Sequence, residues 1–118
     1  MPKYIDVDTG NSWLDESLEN YLMHGLEPGG FLTAVLARDL FLAASRADHW
    51  NSSRLADIAK IVWHTMPAMS IGNYDVVRDW CNDKDSRRSA YALQKEKEYT
   101  WRVLKGEVTE ESEHDYPF

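Results

Sequence analysis

Four histidines, one cysteine, a D-x-D pair and a glycine doublet are the residues of this 118-residue chain whose types and spacings suit chemistry. Histidine is the commonest metal ligand and the usual general base near neutral pH. His24, His49, His64 and His114, however, lie in four separate segments, with neither H-x-x-x-H nor H-E-x-x-H spacing and no cysteine pair nearby, so no metal site is predicted. Asp6 and Asp8 could chelate a hard cation, yet they lack the glycine-turned loop and further carboxylates of a calcium site. Cys81 follows Val77 and Trp80 on an apolar helical face, where burial raises a thiol's pKa and leaves it inert. Nucleophilic catalysis needs a base and an orienting group beside the nucleophile, and no such constellation stands out. The chain is expected to be no enzyme and to need no cofactor.

Gly29 and Gly30 offer a better lead, because they precede a helical pattern whose first turn carries free N–H groups, and such ends bind anions. Thr33 would add a hydroxyl there. The P-G-G run lacks the lysine of a phosphate loop and the three-glycine spacing of a dinucleotide fingerprint, so a tight turn between helices competes with an anion or nucleotide site. In the second reading Arg38 and Arg46 supply positive charge, and His49, Trp50 and Asn51 supply hydrogen bonding and stacking. Five tryptophans are many for this length. Trp63 and Trp80 fit apolar helical stripes, whereas Trp13 at a helix start and Trp50 in a turn are harder to bury and could anchor a partner.

Charge is unevenly placed. Against a net charge of −7, residues 1 to 85 carry seven Lys/Arg and thirteen Asp/Glu, residues 86 to 105 six and two, and residues 106 to 118 none and five. The acidic total argues against general or sequence-specific DNA binding, which relies on Lys and Arg. The basic stretch either serves as a seat for the acidic tail or forms a docking face for an acidic partner, with Arg87, Arg88, Tyr91, Lys95, Trp101 and Arg102 as its candidate residues.

The elements that must position these residues are helical. Hydrophobic residues make up 43% and charged residues 28%, ordinary globular values that imply one domain with a packed core. Residues 1 to 11 alternate weakly around Ile5 and Val7 and read as an extended arm or a short edge strand. Ser12 is placed as the N-cap of a helix with Leu14, Leu18, Tyr21 and Leu22 on one stripe, stopped at Gly25. Residues 31 to 47 are so apolar that one central helix is predicted, with Arg38, Asp39, Ser45 and Arg46 as a polar stripe on one side. Residues 48 to 52 read as a turn; Leu55, Ile58, Ala59, Val62, Trp63 and Met66 then follow the i, i+3, i+4 rule up to Pro67. Asn73 caps a short helix carrying Val76, Val77, Trp80 and Cys81, and a last helical pattern places Ala90, Leu93, Lys97, Trp101 and Leu104 at helical spacing before Gly106. The uncharged run at residues 28 to 37 covers about half of a bilayer span, and the longest run free of Asp, Glu, Lys and Arg, residues 61 to 74, is interrupted by Pro67 and is still too short for one. No membrane span and no secretion signal are expected, and a single cysteine fits a reducing cytoplasm.

The segment Pro28-Gly29-Gly30-Phe31-Leu32-Thr33-Ala34-Val35-Leu36, followed by Asp39-Leu40, Arg46-Ala47-Asp48 and Asn51, resembles a family of small proteins encoded by tailed bacteriophages and prophages. The resemblance covers residues 17 to 82. It departs from the family pattern at Arg38, where Asn is the usual residue, and at Ile71-Gly72-Asn73, where Trp-Gly-Ser is usual. It implies no reaction, cofactor or catalytic residue. It does imply a setting, the cytoplasm of an infected bacterium, in which small acidic proteins act as stoichiometric inhibitors of host proteins or as oligomeric sponges for signalling nucleotides.

The expectation is thus an all-α bundle of four or five helices, with an arm at 1–11, a helical domain at 12–105 and a flexible acidic tail at 106–118. Its expected function is non-enzymatic binding of a host protein for counter-defence or host takeover. The alternative is sequestration of a signalling nucleotide, with self-association open to either.

Overall fold

Asn11, rather than Ser12, starts the first helix: its side-chain oxygen accepts from the Trp13 amide at 2.9 Å, and its own backbone is extended. The structure is a computed structural model that describes residues 3–107, so the acidic tail beyond Glu107 lies outside the described residues. All regular elements among these residues are helical, and no strand occurs among them. The α-helices are α1 (Ser12–His24), α2 (Gly30–Leu36), α3 (Leu40–Arg46), α4 (His49–Ser53), α5 (Leu55–Thr65), α6 (Tyr74–Cys81) and α7 (Arg87–Leu104), with 3₁₀ turns at Ala68–Ser70 and Lys84–Ser86.

Seven helices replace the predicted four or five because the apolar stretch 31–47 is not continuous. The Arg38 amide donates to the Val35 carbonyl at 3.1 Å and the Asp39 amide to the Ala34 carbonyl at 2.8 Å, the paired bonds of a Schellman stop. Arg38 takes the left-handed conformation that such a stop requires, with φ 62°. Asp39 then restarts the chain as the N-cap of α3, its carboxylate accepting from the Leu42 amide at 3.1 Å. The predicted polar stripe Arg38, Asp39, Ser45, Arg46 is therefore dissolved: α2 and α3 fold back on each other as a hairpin, placing Arg38 and Asp39 at its tip and Arg46 at its base. The predicted turn at 48–52 is a further short helix, capped by Asp48 onto the Asn51 amide at 2.7 Å.

Left-handed backbone costs a side chain with Cβ roughly 1–2 kcal/mol, and Asn tolerates it best after Gly. Arg38→Asn recovers some of that strain while giving up a cation–π contact worth about 0.5–1 kcal/mol. Its urea midpoint is expected to match the parent. Arg38→Val, with a branched Cβ, is expected to lose about 2 kcal/mol. Equal midpoints for the two variants would show that the conformation at residue 38 carries no strain.

The arm is a working part of the interior. Ile5, Val7 and Thr9 are buried while Asp6, Asp8 and Gly10 face outward, the period-2 alternation of a strand. Its amide groups are met by carboxylates of α1 rather than by a partner strand. The Tyr4 and Ile5 amides donate to Glu19 at 3.2 and 3.3 Å, and the Thr9 amide and hydroxyl donate to Asp15 Oδ1 at 2.8 and 2.7 Å.

The core joins this arm to α1, α2, α5 and α6, with Leu18, Leu22, Leu36, Ile58 and Trp80 fully buried; each such side chain contributes about 1.5–3 kcal/mol of apolar burial. A relay of hydrogen bonds crosses it. Arg88 Nε donates to the Trp80 carbonyl at 3.2 Å, Trp80 Nε1 to the Tyr21 carbonyl at 3.1 Å, and the Tyr21 hydroxyl to the Ser70 carbonyl at 2.7 Å. Three helices and the 3₁₀ turn before α6 are fixed in register by it. Burial pushes the Tyr21 phenol well above its ordinary value, so it stays a donor.

The connection between α6 and α7 is built from left-handed residues, with Asp83, Asp85 and Ser86 all at positive φ. Asp83 holds it in place: its carboxylate accepts from the hydroxyl of Ser89, and also from the Ser89 amide at 2.8 Å. These bonds lower its pKa from the ordinary carboxylate value. A depressed folded-state pKa means that the stabilisation is fully present above the unfolded value of 3.8 and is lost as pH falls through the folded value. The loss caused by Asp83→Ala, read from urea midpoints, is expected to be constant from pH 7 to about 5 and to shrink below about 4. A loss that keeps its size in acid would rule out the charged hydrogen bonds as its origin.

Candidate interaction surface

The predicted ligand residues divide into two places. At the base of the α2–α3 hairpin Arg46 lies directly over Gly30: a Cβ on Gly30 would sit 2.9 Å from a guanidinium nitrogen of Arg46. Gly29 precedes it with open space around its Cα. The Thr33 hydroxyl is used locally, donating to the Pro28 carbonyl at 2.8 Å. His49 is exposed at the start of α4, and Asn51 is buried, its side-chain oxygen lacking a hydrogen-bond partner among the described residues. Trp50 turns toward the arm, close to Gly10, with the Arg54 guanidinium 5.0 Å from its ring centroid.

Arg38 goes to the tip, and there it joins residues that sequence reasoning did not select. Its guanidinium lies 5.5 Å from the ring centroid of Trp63 on α5. Next to it Asp39 accepts a 2.8 Å hydrogen bond from the Tyr74 hydroxyl at the start of α6. That bond raises the Tyr74 phenol, with the charge of Arg46 acting in the opposite direction. The Gly72 amide donates to the Leu36 carbonyl at 2.9 Å, tying the α6 approach to the end of α2. Around this frame the apolar groups are open to solvent: Phe41 is 92% exposed and Trp63 62%, and Leu40, Tyr74 and Met69 are exposed too.

Trp63 was expected in the core on its helical period. Ile58, Val62 and Met66 fill that stripe instead, and Trp63 falls just beyond its edge. The signal that could have found the tip was Leu40-Phe41 beside a helix break, apolar residues on the first turn of a helix too short to bury all its faces.

The predicted partner residues on α7 do not share one exposed face. Arg88, Tyr91, Lys95 and Arg102 are half-buried on the side turned to α1, α6 and the arm. Tyr91 stacks edge-on to Trp80 at 5.7 Å, and burial pushes its phenol up to about 12. Lys95 pairs with Glu98 at 3.2 Å; Arg102 lies 6.0 Å from the Tyr99 ring centroid. Arg87 pairs with Asp85 at 3.2 Å, and Trp101 lies on the opposite, outer side.

The Cys81 thiol is pushed up by burial and by Glu27, with Arg88 opposing, so it is protonated and a poor nucleophile at neutral pH. Among the described residues no group of three or more His, Cys, Asp or Glu side chains is placed to share a metal ion, and no helix is long and apolar enough to cross a membrane.

What the tip offers is exposed aromatic surface beside a cationic group. Trp, Tyr and Arg carry most of the energy at protein interfaces, and a guanidinium stacked on an indole is pre-positioned for it. Arg38 and Arg46 have no carboxylate ion-pair partner among the described residues, which favours an acidic counterpart. The chain matches no family model, no curated protein and no solved structure, so the reading of this surface rests on the residues themselves.

Proposed function

We propose that the protein is a non-catalytic accessory factor of tailed-phage type that works in the bacterial cytoplasm by occupying a host protein through the tip of the α2–α3 hairpin. The observation that carries this is the exposed Phe41 and Trp63 beside Arg38, which has no ion-pair partner among the described residues. Exposing large aromatics costs solubility and adds little to this fold beyond the Arg38–Trp63 contact, whereas a partner that covers them gains their burial. Occupancy needs no convergent reactive groups, in keeping with side chains whose hydrogen bonds serve caps and turns.

The test is retention of a bacterial protein from a host lysate by the full chain, compared with Phe41→Asp and Trp63→Ala. Both residues are solvent-facing, so melting temperatures are expected to stay within a few degrees of the parent, while affinity falls about 30-fold or more, the size of a hot-spot loss. A partner held equally by all three proteins would overturn the assignment to this surface.

Nucleotide sequestration is the second reading, supported by the placement of Arg46 over Gly30. It predicts a concentration-dependent rise in melting temperature with a cyclic or ADP-ribose-type nucleotide, by mass action on the native state. A broad nucleotide panel that leaves the transition unmoved would remove it.

A further inference from the structure

We propose, resting on the reading of the hairpin tip as an interface, that its occupant is an acidic protein segment in which Asp or Glu side chains alternate with large apolar ones. Arg38 and Lys60 take the carboxylates, and Trp63 and Phe41 take the apolar side chains. The chain as a whole is acidic, but its acidity lies elsewhere. Residues 28 to 73, which include α2 to α5, hold four Lys/Arg and three Asp/Glu, a net of +1 against −7 for the whole sequence. On α6, α7 and the turn between them, cations are already matched: Arg78 with Asp75, Lys84 with Asp79, Arg87 with Asp85 and Lys95 with Glu98. Around the tip they are not. Arg38, Arg46 and Lys60 make no ion pair among the described residues.

The carboxylates of this region are held by other groups. Asp39 accepts from the Leu42 amide through one oxygen and from the Tyr74 hydroxyl through the other, and Asp48 caps α4. Asp57, in the first turn of α5, makes no ion pair with Lys60 one turn further on. Lys60 in turn precedes Trp63 by three residues on the same helix, and both are exposed. Residues at that spacing are surface neighbours, so Trp63 has Lys60 beside it along α5 and the Arg38 guanidinium 5.5 Å from its ring centroid. Arg46 is near enough for its charge to act on the Tyr74 phenol. Rings set among uncommitted cations suit a ligand that offers carboxylates and apolar side chains together, since the guanidinium is a fork of donors matched to a carboxylate and the rings supply burial. A nucleic-acid strand needs a continuous track of cations along its phosphates, and here Asp39 and Asp57 interrupt it.

The experiment is fluorescence anisotropy on the full chain with four labelled probes: a peptide of about twelve residues alternating Glu with Leu and Phe, the same peptide with Lys for Glu, a Glu/Gly peptide of that length, and an oligothymidylate of about twelve nucleotides. The first is expected to bind the parent about 10-fold or more tightly than each of the others and to weaken as salt is raised. Arg38→Glu/Lys60→Glu is expected to lower that affinity about 30-fold, with helical circular dichroism and melting temperature kept, because both positions are exposed and glutamate is as unbranched at Cβ as the residues it replaces. Equal affinity for the Glu and Lys peptides, tightest binding by the oligothymidylate, no binding by any probe, or an affinity unmoved by the charge reversal would each overturn the proposal. The same double variant in the lysate experiment separates the two levels. A host protein released by Phe41→Asp but held by Arg38→Glu/Lys60→Glu leaves the interface standing and removes its acidic occupant, whereas one held by every variant removes the interface itself.

Discussion

Trp80→Ala is expected to lower the unfolding free energy by about 3–5 kcal/mol, the cost of deleting a fully buried aromatic and leaving its cavity. In a domain whose total is about 5–15 kcal/mol that is a large share, and in thermal scans it amounts to a fall of very roughly 15 °C. The indole lies between Tyr21, 6.3 Å away, and Tyr91, 5.7 Å away, so the cavity would open where α1, α6 and α7 meet. The substitution also removes one of two donors to the Tyr21 carbonyl, which keeps the Gly25 amide at 3.1 Å. Trp80→Phe keeps most of the volume and loses that bond, so a smaller loss is expected, about 0.5–1.5 kcal/mol for the bond itself. Urea unfolding of the two variants separates packing from hydrogen bonding. A loss under about 1.5 kcal/mol for the alanine variant would mean that the interior closes over the gap and is not organised around this ring.

Gly25→Ala is expected to cost about as much, from the addition of a single methyl group. Gly25 ends α1 in the left-handed conformation, φ 68°, which alone costs an alanine roughly 1–2 kcal/mol. The new Cβ would also stand 2.7 Å from the Cys81 carbonyl oxygen and 2.5 Å from Arg88 Nε. A flexible arginine tip can move aside, but the carbonyl belongs to the end of α6 and moves only if that helix shifts. Together these terms exceed about 3 kcal/mol. Gly106→Ala is the matched control, with φ 80° and open space where the Cβ would go; only the conformational term, about 1 kcal/mol, is expected there. Similar losses at the two positions would show that the clash at Gly25 is relieved cheaply.

Much of this fold is legible residue by residue where the signal is local. Asn73 caps α6 as its side chain predicts, Pro67 lies just past the end of α5, and Gly25 closes α1. Each is a statement about one side chain and its neighbours within a turn. The break at Arg38 was not legible, because apolar character runs through it unchanged and arginine does not announce a left-handed residue. The candidate surface was missed for a related reason. Periodicity tells which residues share a face, but not which face turns inward. On α7 two stripes compete, and Tyr91 and Tyr99 go inside because Trp80 and Tyr4 offer rings to meet them. Leu93 and Leu104, the more apolar residues, are left outside. Trp63 is decided likewise by the width of a stripe that Ile58 and Val62 already fill.

The arm at residues 3–11 gives the N-terminus an unusual status. Ile5 and Val7 complete an interior that the helices alone leave unfinished, and their segment is gripped by the acidic side chains of a neighbouring helix rather than by backbone pairing. In effect the molecule carries its own peptide ligand, permanently tethered. Any pull on residues 3–11 therefore acts on the hydrophobic centre itself.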